Sequence, residues 1–516
     1  MLQRYTHLKN NRHILAAILT MQLFYWMNLL PLIQIFCLMR HKTLFFCFFL
    51  IVFYSLGQTP CSSGFAGEYP CNNYDLLSHI PVSTLANASG NPEGSDVWGW
   101  TDPDTGKEYA IAAMTNSTAF VDVTNPVNPV FLGRIDSNAG NNFWRDVKIY
   151  ANYAFIVADD VGEHGMQIFD LTRLRNITNP ESMNPDVVYD DVTSCHNIII
   201  NEASAIAYLV GCNTFNGGPN FVDISDPLNP VNLGGYATDG YTHDAQVVTY
   251  SGIDTDYTGK EILVGSNENK VVILDVTNKS NVVKVSEFDY PQISYTHQGW
   301  FTEDQRYFLL GDEDDELEFG LNTRTLVFNF EDLDAPTLIN TYFGPTNAID
   351  HNGYVKGTDF FMASYRAGMR VLDISNIGSE NNQLTEIGYF DTYPTNNETA
   401  FNGAWSVYPY FASGSIIIND IERGLFVIRK SGILSSVEVL KNRFSISPNP
   451  TNKDAIIKAT QNHQIKSVSV FNILGREVFF KQNINDTKFV IPLEKNLKGV
   501  YIVTINDSIF KKLILY

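Results

Sequence analysis

A recurring apolar motif constrains the fold of this chain more than any other feature. Its fullest copy occupies residues 120–133 (Phe-Val-Asp-Val-Thr-Asn-Pro-Val-Asn-Pro-Val-Phe-Leu-Gly), and related copies begin at Phe221 and Val272. Alignment of the copies on one polar position gives Asp122, Asp170, Asp223, Asp275, Asn329, Asp373 and Arg429. A spacing of about 50 residues is typical of β-propellers, in which each repeat is a four-stranded blade.

The repeated Asp follows an apolar strand and, in the fuller copies, precedes a turn that contains proline. Asp and Asn oxygens accept backbone N–H groups in such turns, and proline fixes φ there. We therefore predict that these Asp residues stabilise turns and take no part in chemistry.

The number of blades follows from the strands that open each unit. Seven openings lie near Trp98, Trp144, His196, His243, His297, His351 and Trp405. The seventh unit supplies only three strands, whereas residues 74–85 form a lone strand ahead of the first unit. Pairing the two in one sheet removes free sheet edges. We therefore predict an all-β, seven-bladed β-propeller closed by an N-terminal strand, with six or eight blades as alternatives.

Charge divides the chain into two parts. The 516 residues carry a formal net charge of −21, yet residues 431–516 contain twelve Lys or Arg and only six Asp or Glu. Residues 1–430 therefore carry −27. An acidic body argues against nucleic-acid binding, which requires a basic surface. The change of sign predicts a propeller at residues 59–432 and a small C-terminal β-sandwich at residues 440–516.

Two apolar segments precede the propeller. Residues 39–58 combine a basic start, an apolar run and a small residue near the end, which is the pattern of a secretory signal peptide. We interpret residues 1–38 as an upstream mis-start, with translation from Met39. The alternative is a membrane anchor, because the earlier apolar run is long enough to span a bilayer.

Four cysteines follow the signal segment, and an even number in an exported protein predicts disulfides. A hairpin centred between Ala203 and Ser204 would place Cys195 opposite Cys212, where cross-strand Cβ atoms are close enough to bridge. Cys61 and Cys71 then form the second pair. The alternative is four free buried thiols.

Four consecutive units carry histidine at the same opening position: His196, His243, His297 and His351. Opening strands line the channel of a propeller, so we expect these imidazoles to converge on its axis. Together with Asp146 they suit a divalent metal such as zinc, or general acid–base chemistry. The alternative is structural, with each histidine hydrogen-bonded to a neighbouring turn.

Other side chains are candidates for binding a ligand. Stacking on sugar rings or peptide segments, or contact with an anion, is predicted for Trp100, Trp144, Arg145, Trp300, Arg366 and Trp405. The alternatives are wedges between blades for the tryptophans and salt bridges for the arginines. The acidic run at residues 312–318 is a weak candidate for Ca²⁺ ligation, by Asp312, Asp314 and Asp315. It lacks the spacing of an EF-hand, and a solvated loop is the favoured interpretation.

The C-terminal segment, residues 440–516, resembles the sorting domain of the type IX secretion system of certain Gram-negative bacteria. The resemblance rests on Ser-Pro-Asn-Pro at 447–450, Asn-Ile-Leu-Gly-Arg at 472–476 and Gly-Val-Tyr at 499–501, in the expected order. It implies interaction with the type IX machinery and export across the outer membrane. Release or attachment at the cell surface would follow, usually with removal of the tail.

The body resembles the choice-of-anchor B proteins, which are built of LVIVD-type propeller repeats. The resemblance covers roughly residues 61–430 and rests on segments such as Trp-Gly-Trp-Thr-Asp-Pro at 98–103, Tyr-Thr-His-Gln-Gly-Trp at 295–300 and Tyr-Arg-Ala-Gly-Met-Arg at 365–370. The family has no agreed activity, so the resemblance implies fold and location.

Two functions are consistent with these observations. We predict a secreted or cell-surface propeller that binds an extracellular protein or glycan, with no stable membrane span in the mature form. The alternative is a metal-assisted hydrolase or lyase that uses the histidines. The chain contains no Gly-rich phosphate loop, Gly-x-Ser-x-Gly elbow or His-Glu-x-x-His motif, so the sequence leaves catalysis open.

Overall fold

The structure is a computed structural model that describes residues 58–379, 384–432, 444–452, 454–459, 464–472, 476–492, 498–506 and 509–516. The apolar segment 1–38 and the signal segment 39–58, except Gln58, lie outside the described residues.

In the described residues between 58 and 432, seven sheets of four to six strands form, and we number them 1 to 7 by their first strands. Sheet 1 contains Gly94–Thr101, Glu108–Met114, Ser117–Asp122, Val130–Asp136 and, parallel to the last of these, Glu181–Met183. Sheet 2 contains Arg145–Tyr150, Tyr153–Ala158, Met166–Asp170 and Val187–Tyr189. Sheet 3 contains Asn197–Asn201, Ile206–Val210, Asn220–Asp223 and Val231–Gly235.

The remaining four sheets of the body follow the same order. Sheet 4 contains Asp244–Thr249, Glu261–Ser266, Val271–Asp275 and Val283–Phe288. Sheet 5 contains Thr296–Phe301, Tyr307–Asp312, Arg324–Asn329 and Thr337–Phe343. Sheet 6 contains Gly353–Lys356, Asp359–Ala363, Met369–Asp373, Thr385–Phe390, Tyr69–Asn72 and Phe65–Ala66. Sheet 7 contains Ala404–Tyr408, Ser415–Asp420, Gly424–Lys430 and Tyr74–Ile80.

Helices are short in the described residues. Two are α-helical, Val82–Leu85 and Asp315–Phe319, and three are 3₁₀ turns, Leu171–Asn176, Phe215–Gly217 and Thr255–Tyr257.

The second strand of each sheet is largely buried and has an apolar centre, because it packs against neighbouring sheets on both faces. All residues of Glu108–Met114 and Ile206–Val210 are buried, whereas Thr337–Phe343, a fourth strand, is largely exposed. The core therefore lies between the sheets. Phe120 of sheet 1, for example, packs with Phe169 of sheet 2.

The first strands of the seven sheets contact one another in chain order, and the first strand of sheet 7 contacts that of sheet 1. Equivalent positions at the start of these strands are consequently brought close to one another. The all-β prediction is confirmed, and the arrangement is that of a β-propeller.

Both ends of the propeller segment meet in sheet 7, as predicted. Tyr74–Ile80 pairs antiparallel with Gly424–Lys430, with Asp75 opposite Arg429 and His79 opposite Phe426. The strand expected at residues 74–85 is shorter than predicted. It ends before Pro81, and residues 82–85 form a helical turn.

The repeated Asp residues act as turn formers, as predicted. An Oδ1 atom accepts the backbone N–H two residues later, at 2.8–3.1 Å, at Asp122, Asp170, Asp223, Asp275, Asn329 and Asp373. The Asp or Asn of the recurring motif thus stabilises the turn that follows the third strand of these blades.

Both predicted disulfides are formed. Sheet 3 pairs Asn197 with Val210 and Ile200 with Ala207, so Cys195 lies opposite Cys212 and bonds to it. Cys61 bonds to Cys71 in the short hairpin that extends sheet 6.

The C-terminal segment forms two further sheets. One contains Phe444–Ser447, Ala455–Ala459 and Lys488–Ile491, and the other Glu477–Lys481, Val468–Asn472, Gly499–Ile505 and Ile509–Leu515. Side chains of both sheets share one apolar core, as the predicted sandwich requires. Among the described residues, no helix has the length and apolar character needed to cross a membrane.

Candidate functional site

A cavity of about 430 Å³ lies where the first strands begin. Aromatic side chains and imidazoles form most of its wall: Phe143, Trp144, His196, His243, Tyr295, His297, His351, Tyr365, Phe401 and Trp405. The carboxylates of Glu93, Glu313, Asp314 and Glu422 also line it, together with Asn402 and Ile421. Lys and Arg do not occur among these described lining residues.

The four predicted histidines are consecutive neighbours in this wall. Ring centroids of His196 and His243 are 4.3 Å apart, those of His243 and His297 4.4 Å, and those of His297 and His351 4.4 Å. Trp405, Phe143 and Trp144 complete the circle, with centroid distances of 4.7, 5.6, 5.3 and 6.1 Å from His351 round to His196. The convergence follows from the equivalent position of each residue at the start of a first strand.

Two of the imidazoles are oriented by backbone carbonyls. His243 Nδ1 lies 3.1 Å from the carbonyl oxygen of His297, and His351 Nδ1 contacts the carbonyl oxygen of Trp405. A carbonyl only accepts, so Nδ1 carries the proton in both rings and Nε2 of the neutral imidazole holds a lone pair. Each of these two histidines can therefore make a structural hydrogen bond through Nδ1 and still offer the lone pair of Nε2 to a ligand.

Glu313 lies between two of these rings. Its Oε2 is 3.5 Å from His297 Nε2 and its Oε1 is 3.7 Å from His351 Nε2. Tyr365 Oη donates a hydrogen bond of 2.6 Å to Oε1. Glu313 was not among the predicted site residues, although pairing the first two strands of sheet 5 would have placed it near His297.

Burial controls the protonation of this cluster. Desolvation raises the pKa of Glu313 to about 8 and lowers the pKa of His351 to about 4. It also lowers the pKa values of His243 and His297 well below 6.5. At neutral pH these three imidazoles are therefore neutral and can donate a lone pair.

The predicted ligand-binding side chains divide between several locations. Trp144, Trp405 and Asp314 line the histidine cavity. Trp300 lines a second cavity of about 130 Å³, which also includes Trp98 and lies further along the first strands.

Three predicted ligand-binding residues have structural environments instead. Trp100 is buried between sheets 1 and 2 and stacks on Tyr109 at 5.1 Å. Arg145 is also buried, and its Nε donates to the carbonyls of Thr115 and Asn142 at 3.1 and 3.0 Å. Arg366 donates to the side chains of Asn396 and Asn402. The wedge alternative describes Trp100, and the salt-bridge alternative describes Arg366, whose Nη1 lies 3.7 Å from Glu398; Arg145 is held by hydrogen bonds to backbone carbonyls.

Asp146 does not join the imidazoles. Its carboxylate contacts Lys148 Nζ, which also lies 3.2 Å from Asp96, and it accepts the backbone N–H of Ile198 at 2.8 Å. Lys148, two residues further along the same strand, therefore forms an ion pair with the carboxylate that was predicted to bind a metal ion.

The acidic run is not a solvated loop, because Asp312, Asp315 and Glu316 are buried. Its three predicted calcium ligands also have different partners. Asp312 accepts from Tyr290 Oη and the Tyr295 N–H, and Asp315 pairs with Arg324. Asp314 faces the histidine cavity. The structure therefore does not bring the three carboxylates to one point.

Comparison with known families gives two matches. Residues 445–515 match the family described as "Secretion system C-terminal sorting domain", and residues 259–289 match the LVIVD repeat. A comparison with curated proteins found no match.

Several solved structures are similar to the chain. One is PorZ, a surface component of the type IX secretion system of Porphyromonas gingivalis, at 12% identity over 80% of this chain, with a TM-score of 0.41. The chain spans 58% of the length of PorZ. Another is the C-terminal WD40 domain of Sif2, at 9% identity over 66% of this chain and 97% of that one, with a TM-score of 0.42.

A third is the Cps50 (Swd1) β-propeller domain of Myceliophteria thermophila, at 10% identity over 62% of this chain and 93% of that one, with a TM-score of 0.40. The functional indication comes from the family match at the C-terminus. The sorting domain indicates a protein that the type IX system secretes or displays at the cell surface.

Proposed function

We propose that this protein is an exported β-propeller that binds the accessible end of an extracellular glycan in the histidine cavity. The observation that carries the proposal is the circle of imidazoles and aromatic rings around an open volume of about 430 Å³. This volume falls within the range of roughly 300–1,000 Å³ that small-ligand sites occupy.

The cavity wall has the chemistry that sugars require. Trp144 and Phe401 are 38% and 47% exposed, so their faces are open to stacking on a pyranose ring. Carboxylates of Glu93, Asp314 and Glu422 are placed around the same volume, where they can accept hydrogen bonds from sugar hydroxyls.

The architecture proposed for this function is one closed ring of seven blades, of the choice-of-anchor B type, over residues 59–432. The cyclic order of contacts between first strands and the LVIVD match support it. The sorting domain, proposed to span residues 440–516, would engage the type IX machinery. Residues 39–58 would direct the first step of export.

A glycan and peptide array tests the proposal. We expect the full chain to bind a limited set of glycans, and Trp144→Ala to weaken that binding by about tenfold, because one stacking contact is lost. Phe343→Ala, at an exposed position on the outer strand of sheet 5, is the matched control and should bind as wild type.

Four outcomes would contradict the proposal. Failure to bind any glycan, or equal binding by the Trp144 variant, would overturn it. Selective binding of peptides would indicate a protein ligand. Release of shortened products from a bound glycan would favour the alternative, a hydrolase or lyase.

A further inference from the structure

We propose that His297, Glu313 and His351 form a binding site for a divalent transition metal, with zinc as its representative, in the wall of the histidine cavity. The inference goes beyond glycan binding and does not depend on it. The proposed ligands differ from those expected from the sequence. Asp146 pairs with Lys148, and the carboxylate beside the histidines is that of Glu313.

The distances fit one shared ion. One ligand atom from each residue lies within 4.8 Å of the others, and the two N···O separations are 3.5 and 3.7 Å. Ligand atoms at 2.0–2.2 Å from a tetrahedral zinc ion lie roughly 3.3–3.6 Å from each other. The observed separations are longer than N–H···O hydrogen bonds, which are about 2.7–3.2 Å.

The tautomer of His351 supplies an independent reason. Its Nδ1–H is used by the carbonyl oxygen of Trp405, so its Nε2 presents a lone pair to a carboxylate oxygen. This oxygen, Oε1, already accepts the hydrogen bond from Tyr365 Oη, so it and Nε2 face each other as two acceptors in a buried place, which favours a cation between them. A metal ion between Nε2 and Oε1 converts this unfavourable contact into two coordinate bonds.

The surroundings of two of the three ligands, His351 and Glu313, fit a resident ion. Metal-binding imidazoles and carboxylates are typically fixed by second hydrogen bonds, as His351 is by Trp405 and Glu313 by Tyr365. The described wall of the cavity contains four carboxylates and no lysine or arginine that would repel a cation.

The nitrogen and oxygen atoms that would bind the ion indicate which class of metal the site prefers. Two imidazole nitrogens and one carboxylate suit zinc and its neighbours better than calcium or magnesium, which prefer oxygen ligands alone. Three protein ligands also leave one coordination position, which would face the cavity.

Calorimetric titration with ZnCl₂ at pH 7.5, on purified full chain first stripped with a chelator, tests the site. We expect one Zn²⁺ ion per chain and at least a tenfold loss of affinity in both His351→Gln and Glu313→Gln. The glutamine at 313 keeps the shape of the side chain, so this variant distinguishes lost ligation from lost folding. Near-UV circular dichroism verifies the fold of each variant.

His79→Gln is the matched control. This histidine lies on the closing strand, where its Nε2 contacts the carbonyl oxygen of Arg423, and its replacement should leave zinc affinity at the wild-type value. Wild-type protein that binds no zinc, or a folded Glu313→Gln variant that binds it normally, would overturn the site. Glycan binding that persists after chelation would leave the proposed function intact in that case.

Discussion

Asp420 shows how a single buried carboxylate sets a pH dependence. It ends the second strand of sheet 7 with no exposed surface, and its Oδ1 accepts the backbone N–H groups of Glu422 and Arg423 at 3.0 and 2.8 Å. Burial raises its pKa from 3.8 to about 7. The folded chain therefore holds this proton more tightly than the unfolded chain does.

The sign of the effect follows from proton linkage. A raised carboxylate pKa gives stability that is present below the unfolded pKa and lost as pH rises towards the folded one. Asp420→Asn removes the ionisation and keeps an oxygen acceptor. We expect the unfolding free energy of the variant, minus that of the wild type, to increase between pH 4 and pH 7 by up to about 1.4 kcal/mol per pH unit. Above pH 7 this difference should stay constant.

Urea unfolding at pH 5, 6, 7 and 8 measures this difference. Asp223→Asn is the control, because hydrogen bonds from Ser225 lower the pKa of Asp223 in the folded chain. Its difference from wild type should stay constant over the same range. A difference for Asp420→Asn that does not change with pH would contradict the prediction.

Repetition determines which single residues could be placed from the sequence. His196 to His351 occupy equivalent positions in consecutive units, so radial packing brings the ring centroids of consecutive histidines within 4.4 Å of each other, as expected. Asp146 also lies near the start of a first strand, but Lys148, two residues further along that strand, binds its carboxylate. Glu313 directly follows the strand Tyr307–Asp312, so only the pairing of Asp312 with Thr296, and not the repeat alone, would have placed it near His297.

At the scale of the element, the closing strand Tyr74–Ile80 joins the two ends of the propeller segment. Leu77 is 4% exposed and belongs to the same apolar cluster as Leu425 and Val427. We expect Leu77→Asp to cost about 3–5 kcal/mol, because it buries a carboxylate in an apolar cluster and removes a core side chain. The strand Gly424–Lys430 would then present an unpaired edge.

Thermal unfolding with light scattering measures both consequences. Val231→Asp makes the same substitution type on the fourth strand of sheet 3, where the side chain is 53% exposed, and should change stability by less than about 0.5 kcal/mol. Equal melting temperatures for the two variants would refute the role of the closing strand.

Elements with strong apolar patterns were predictable, and short ones were not. The closing strand could be inferred because sheet 7 lacked a fourth strand, although its end at Pro81 was missed. Glu181–Met183 pairs parallel with part of Val130–Asp136, and Phe65–Ala66 pairs with Tyr69–Asn72 at the edge of sheet 6. Segments of two or three residues acquire their structure from neighbours in space, so local sequence carries little signal for them.

At the scale of the molecule, acidic and basic residues are divided between parts with different tasks. Residues 1–430 carry −27, whereas residues 431–516, which include the sorting-domain match, carry +6. The candidate cavity lies wholly in the acidic part and contains carboxylates in its described wall. Export and the proposed binding can therefore be tested separately with variants confined to one part.

Removal of the tail should abolish export without removing the binding site. In a host with a type IX secretion system, we expect the full chain at the cell surface or in the medium, and a chain that ends at residue 432 in the periplasm, because the segment that the machinery recognises is missing. Immunoblots of the separated fractions measure the distribution. His351→Gln is the control, since its substitution lies in the cavity and should leave export at the wild-type level. Equal export of the truncated chain would show that the signal lies elsewhere.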